Sequence, residues 1–167
     1  MTAARGARRV GAPALAISVQ YGVARAGLPA PATLRRWAAV GAERDARITL
    51  RFVGRTEARR LNAAFRGKDY ATNVLTFVYD AVVNGRQRDG REALAGDIVL
   101  CVPVMRREAR AGRRPLRAHC AHLVVHGMLH LQGYDHEAAA DAEAMERRER
   151  DLLARLVFPD PYDASSR

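Results

Sequence analysis

The chain is poor in cysteine, in lysine and in long apolar runs. Two cysteines among 167 residues, Cys101 and Cys120, exclude a disulfide-stapled scaffold. Their spacing matches no CxxC pattern, and both are expected to be reduced and buried. No stretch approaches the roughly 18 consecutive apolar residues of a membrane helix, so no membrane partner is expected. Acidic residues are also scarce, 18 against 28 basic ones, a formal charge of +10. Lys68 is the single lysine and the other basic residues are arginine. This balance favours phosphate-bearing partners over acidic proteins or neutral sugars, although an Ala- and Arg-rich composition also arises from a GC-rich genome. A secretory leader is not expected. Arg5, Arg8 and Arg9 do precede an apolar stretch, but Leu15, Ile17, Val19 and Tyr21 alternate with polar Ser18 and Gln20, the pattern of a strand. A cytoplasmic protein follows.

Hydrophobic residues make up 49% of the chain, enough for one folded core. We expect a basic, disordered arm over residues 1–14, a single domain over 15–162 and a short tail over 163–167. Strands are expected at about 15–21, 47–53, 73–79 and 97–102. Helices are expected at about 31–42, 56–65, 103–111, 115–131 and 138–158. Thr56 with Glu57 reads as a helix cap, with Ala58, Leu61, Ala64 and Phe65 as the buried stripe behind it. Residues 80–95, with Asn84-Gly85 and Asp89-Gly90, read as an exposed loop. The last helix carries Glu143–Arg147, Glu146–Arg150 and Asp151–Arg155 pairs at i,i+4. The alternation of elements predicts an α+β (α/β-like) sandwich, a small four-stranded, mostly mixed sheet packed with about five helices. The helix at 115–131 is apolar almost all round and should be central.

That helix also carries the chemistry. Four of the five histidines lie between 119 and 130, and the fifth is His136. His126 and His130 are one turn apart on one helix face, with Cβ atoms about 5–6 Å apart. Gly133 permits a sharp turn with positive φ that returns His136 as a third ligand. Three neutral imidazoles plus an open position form a catalytic rather than a closed structural zinc site. One metal per chain is therefore expected, held by His126, His130 and His136. His122 is a candidate to steady a ligand imidazole, with core packing as the alternative. Asp135 divides between orienting a ligand and shaping the turn. The spacing resembles that of the metzincin proteases, H-E-x-x-H-x-x-G-x-x-H, with one departure. The glutamate that serves those enzymes as general base is here Gly127, so the metal geometry is kept without the proteolytic base.

The second informative segment is Arg66-Gly67-Lys68-Asp69, between a helix and a strand. Arginine can grip a phosphate as a fork and lysine as a point charge, although such a turn alone is usually a solvated one. The series RGKDYATNVLTF, then GDIVLC, then HCAHLVVHGMLHLQGYDH, then DPY at 160–162, closely resembles the YbeY family of bacterial endoribonucleases over roughly residues 45–162. The resemblance implies a zinc-dependent endoribonuclease specific for single-stranded RNA. It further implies roles in maturing the 3′ end of small-subunit (16S) rRNA and in ribosome quality control, in company with the ribosome or ribosomal proteins. It makes Arg66 the critical arginine and His126, His130 and His136 the zinc ligands. Asp97 enters as a candidate by family position alone, with a strand-edge carboxylate as the alternative.

Lys68, Arg113 and Arg114 are candidate RNA contacts. The densest basic run, Arg106, Arg107, Arg110, Arg113 and Arg114, reads equally as a solvated face. Tyr70 and Tyr134 are candidates for base stacking. Zinc in such a site either activates water or polarises a phosphate oxygen while a ribose 2′-OH attacks. Two other readings stand beside this one: a zinc hydrolase of peptides or small molecules, and a non-catalytic ribosome-assembly factor with a structural metal.

Overall fold

The structure, a computed structural model, describes residues 11–79, 82–83, 86–87 and 93–163. Most of the expected N-terminal arm, both Asn84-Gly85 and Asp89-Gly90, and residues 164–167 lie outside the described residues. Four strands form one mixed sheet in the order β1-β2-β6-β3: β1 (Leu15–Tyr21), β2 (Ala46–Val53), β3 (Val74–Val78) and β6 (Leu94–Cys101). β1 and β6 run parallel to β2, whereas β3 runs antiparallel to β6. Among the described residues, five helices complete the fold: α1 (Pro31–Gly41), α2 (Arg55–Arg66), α3 (Val102–Ala111), α4 (Leu116–Leu131) and α5 (Ala139–Arg155). The expected α+β class and helix number hold. The stretch read as a plain loop contains a two-stranded pair, β4 (Val82–Val83) with β5 (Arg86–Gln87).

The sheet has two differently occupied faces. Leu94, Ile98 and Leu100 of β6 join the larger core with α4, α1 and α5. Val99 and Cys101, from the alternate positions, join a smaller core with Ala58 of α2 and Val104 of α3. Central α4 buries Cys120, Val124, Val125, Met128 and Leu129 completely, as its all-round apolar sequence requires. Each buried aliphatic side chain of this kind contributes about 1.5–3 kcal/mol. Gln132, just past α4, ties the helix to the α1 end. Its Nε2 donates to the Gly41 and Met128 carbonyls at 2.7 and 2.9 Å, and its Oε1 accepts the Glu43 N–H at 2.6 Å. The two free cysteines are both buried, as expected.

Local readings fared less evenly. α2 starts at Arg55 behind Gly54, with no side-chain cap. Glu57 instead accepts from Arg51 of β2 at 2.9 and 3.1 Å, because the strand presents a guanidinium that competes for it. The buried residues of α2 are Ala58 and Asn62, not Ala64 or Phe65. Phe65 is 67% exposed and packs edge-on against Phe77 of β3, with ring centroids 5.2 Å apart. β6 begins at Leu94, three residues before the expected start at Asp97, because the glycine at 96 pairs with Ile48 and prolongs the ladder. α5 stops at Arg155, where Val157 takes a left-handed φ of 64° and the Phe158 N–H closes back on the Leu153 carbonyl at 2.9 Å.

Candidate metal centre and basic cleft

His126 and His130 lie on one face of α4. The α4 end is followed by Gly133 at φ 97°, a value that L side chains rarely adopt. The turn there is tightened by Gly133 and Tyr134 N–H bonds to the His130 and Leu129 carbonyls, at 3.0 and 3.1 Å. It brings His136 back against the helix. One nitrogen from each of His126, His130 and His136 lies within 4.8 Å of the others. Ring centroids are 4.6 Å apart for His126–His130 and 4.9 Å for His130–His136. Burial lowers the His130 pKa, and neighbouring His126 and His136 lower it further, so the neutral, ligating form is favoured. Three convergent imidazoles fit a borderline divalent metal such as zinc.

Gly127 sits between these ligands but faces the sheet. A Cβ there would meet Ile98 Cγ2 at 2.9 Å and Cδ1 at 3.0 Å. α4 therefore packs on β6 too closely to carry a glutamate at this position.

The basic loop reaches the same cleft. Gly67 caps α2 at φ 67°, and the Gly67 and Lys68 N–H groups bond the Ala63 and Asn62 carbonyls at 3.1 and 3.3 Å. Buried Asn62 holds the loop from beneath by donating to the Tyr70 carbonyl at 2.8 Å. Arg59 grips Asp69 with two bonds of 2.7 and 2.9 Å, which lowers the Asp69 pKa and leaves Arg66 and Lys68 without that acid. Arg66 donates to the Thr76 carbonyl on β3 at 3.2 Å. Arg66, Lys68, Thr76, His126, His130 and His136 line one cleft of about 710 Å³.

Other expected site residues lie elsewhere. Asp97 is on β6 beside Ile98, so it points to the sheet face opposite α4. Its carboxylate accepts the Tyr79 hydroxyl, whose pKa is raised to about 12, chiefly by that bond. The strand register thus separates it from the imidazoles. Asp135 lines the cleft, and one of its oxygens accepts the His136 N–H at 2.7 Å, a bond that shapes the turn. Arg113 and Arg114 flank a separate pocket with Pro161 and Leu153, and Arg114 donates to the Pro161 carbonyl. Arg106, from the same basic run, donates to the Ala26 carbonyl at 2.8 Å. Tyr134 reaches the cleft, with its hydroxyl on Glu43 at 2.8 Å. Tyr70 is 54% exposed and does not line it.

Two carboxylates went unnoticed in the sequence. Glu149 on α5 is completely buried and accepts from His126 Nδ1 at 2.5 Å, His122 Nε2 at 3.1 Å and the Tyr162 hydroxyl. Burial alone would raise its pKa, but the bonds from His122, His126 and Tyr162 outweigh that and hold it at about 2. Glu108 on α3 likewise pairs with His119 at 2.8 Å and accepts from Asn73. The signal for Glu149 was present: it falls in the Met145, Leu152, Leu153 stripe of α5, where an acid is out of pattern.

Comparison with known proteins places the chain in a family. Residues 32–157 match the sequence profile of the family described as Endoribonuclease YbeY. An Aromatoleum aromaticum protein named Endoribonuclease YbeY is 55% identical over 151 residues, covering 89% of this chain and 92% of its own. A Thiobacillus denitrificans protein of the same name is 50% identical, covering 90% and 98%. The solution structure of a Thermotoga maritima protein shares the fold at a TM-score of 0.52 and 22% identity, over 88% of this chain and 99% of that one. With a profile match across most of its length and relatives at half identity or more, this chain belongs to the YbeY endoribonuclease family.

Proposed function

We propose that this chain is a zinc-dependent endoribonuclease of single-stranded RNA, acting in the cytoplasm on the 3′ end of 16S rRNA and in ribosome quality control. The observation that carries the reading is the shared cleft, lined by three convergent imidazoles together with Arg66 and Lys68. Family membership supports RNA as the substrate; a cation pair in the same cleft as a metal-type donor set supports phosphodiester chemistry in particular. Gly127, in place of a carboxylate base, weighs against the peptidase alternative.

His126, His130 and His136 would hold the metal, which when bound supplies Lewis-acid polarisation of a phosphate oxygen or a water of lowered pKa. Arg66, steadied by the Thr76 carbonyl, has guanidinium N–H groups left to bind the scissile phosphate and stabilise the charge that grows on it. Lys68 binds a neighbouring phosphate as a point charge. Arg113 and Arg114 are assigned a lesser part, because they flank a different pocket. Residues 15–162 act as one domain in this reading.

The test is cleavage of a defined single-stranded RNA, and of its matched duplex, by zinc-loaded, metal-free and Arg66→Ala protein. Arg66→Ala is expected to cut about 10²–10³-fold more slowly, in line with loss of one electrostatic donor. It should keep one zinc per chain and its melting temperature. Undiminished cleavage by metal-free protein, or equal cutting of duplex and single strand, would sink the reading. Ribosome association is checked by co-sedimentation of the tagged protein with small subunits.

A further inference from the structure

The geometry points to Glu149 as a positioning residue for the metal centre: it fixes His126 through Nδ1, and Tyr162 locks its carboxylate in place. This rests on the reading that His126, His130 and His136 hold the metal.

A carboxylate with no solvent exposure persists in an apolar helix stripe only if its lone pairs are filled. Here Oε1 takes His126 Nδ1 at 2.5 Å, and Oε2 takes His122 Nε2 at 3.1 Å together with the Tyr162 hydroxyl. An ionised carboxylate only accepts, so each partner donates. His126 then carries its proton on Nδ1, and Nε2 is the nitrogen left with a free lone pair. The bond sets both the tautomer and the ring orientation.

His122, His126 and Glu149 also bring three donor atoms within 4.8 Å of one another, as a second metal site would. At 2.5 Å, however, His126 Nδ1 and Glu149 Oε1 are closer than the separation of about 3.3 Å kept by two donors about 2.0 Å from one tetrahedral ion. They are a hydrogen-bonded pair.

Tyr162 is itself held from three sides. Asp160 accepts the Tyr162 N–H at 2.8 Å, Arg150 lies 5.2 Å from the centre of the tyrosine ring while pairing with Asp160 at 3.2 Å, and Arg114 donates to the Pro161 carbonyl. The segment after α5 is thereby fastened over Glu149, and the DPY motif acquires a physical role.

The experiment uses full-length wild type, Glu149→Gln, Tyr162→Phe and His130→Ala. Zinc dissociation constants are measured by competition with a chromophoric chelator. Imidazole ¹⁵N resonances of the zinc-loaded protein report the protonated nitrogen of His126. Glu149→Gln is expected to bind zinc about 10–100-fold more weakly, with the melting temperature of the metal-free protein as the control for folding. Tyr162→Phe should weaken binding in the same direction by a smaller factor, and it decides the matter if the glutamine variant does not fold. Wild-type affinity in the variants, with His126 still protonated at Nδ1, would overturn the inference. So would two tightly bound zinc ions per wild-type chain. His130→Ala binding zinc as tightly as wild type would sink the ligand assignment itself, a result distinct from a failure of the Glu149 variants alone.

Discussion

At the scale of single residues, Gly127 is decided by contact rather than by backbone freedom. It is helical, and alanine there would favour the helix by about 1 kcal/mol. Its added methyl would however collide with Ile98, which is itself fully buried. Overpacking of this sort costs about 1–3 kcal/mol. Gly127→Ala should therefore be net destabilising, by about 1 kcal/mol in urea unfolding. In an Ile98→Ala background the same change should cost nothing or stabilise, because the obstructing atoms are gone. Additive behaviour in that double-mutant cycle would refute the contact as the cause. Phe65 teaches the complementary lesson. Its place in a helical apolar stripe suggests burial, but the side chain stays largely exposed beside Phe77.

At the scale of elements, α4 carries four histidines along one side, and the neighbouring helices supply acids to the first three of them. Glu108 of α3 meets His119, and Glu149 of α5 meets His122 and His126. The His119 pair predicts a pH response. Burial lowers the His119 pKa below its usual 6.5, against the opposing pull of Glu108; His122 and Arg114 lower it a little more. Protonation would also put an N–H on its Nδ1, which is buried without a partner. The unfolded chain takes up a proton near pH 6.5 and the folded one resists it, so the contribution is present above that pH and is lost as pH falls below it. Wild type should thus lose more melting temperature between pH 7.5 and 5.5 than His119→Gln, whose amide can still bond Glu108. Parallel curves would count against this. The i,i+4 pairs of α5 are minor by comparison. Glu143–Arg147 and Glu146–Arg150 form at 3.2 and 3.7 Å, on an exposed surface where such pairs contribute little.

At the scale of the whole molecule, the net charge of +10 makes counterion release a large part of RNA affinity. The fold divides that charge between faces. Lys68 opens onto the cleft, whereas Arg113 and Arg114 flank the pocket beside Pro161. Lys68→Gln should therefore reduce the slope of log K against log salt by about 0.7, the value for one phosphate on a single strand. Arg113→Gln should reduce the slope by less. Equal effects from the two would mean that RNA tracks across both faces.

The amino-acid sequence alone determined the class of fold, the order of the main-sheet strands and the helices, and the metal-type histidine spacing. These are local quantities: period-2 and period-3.6 apolar patterns, a one-turn histidine pair and a glycine placed for a turn. It also determined family membership, since the RGKD and histidine motifs are contiguous strings. Tertiary structure alone decided which side of the sheet each residue serves. Asp97 was a reasonable candidate until strand register turned it away from α4. Glu149 lies 23 residues from His126 and became its partner only when α5 packed on α4. Arg66 and His126 are joined only across the β3 edge, where Thr76 receives the guanidinium and the cleft opens. Pairings of that kind depend on packing between distant segments, and no local period encodes them.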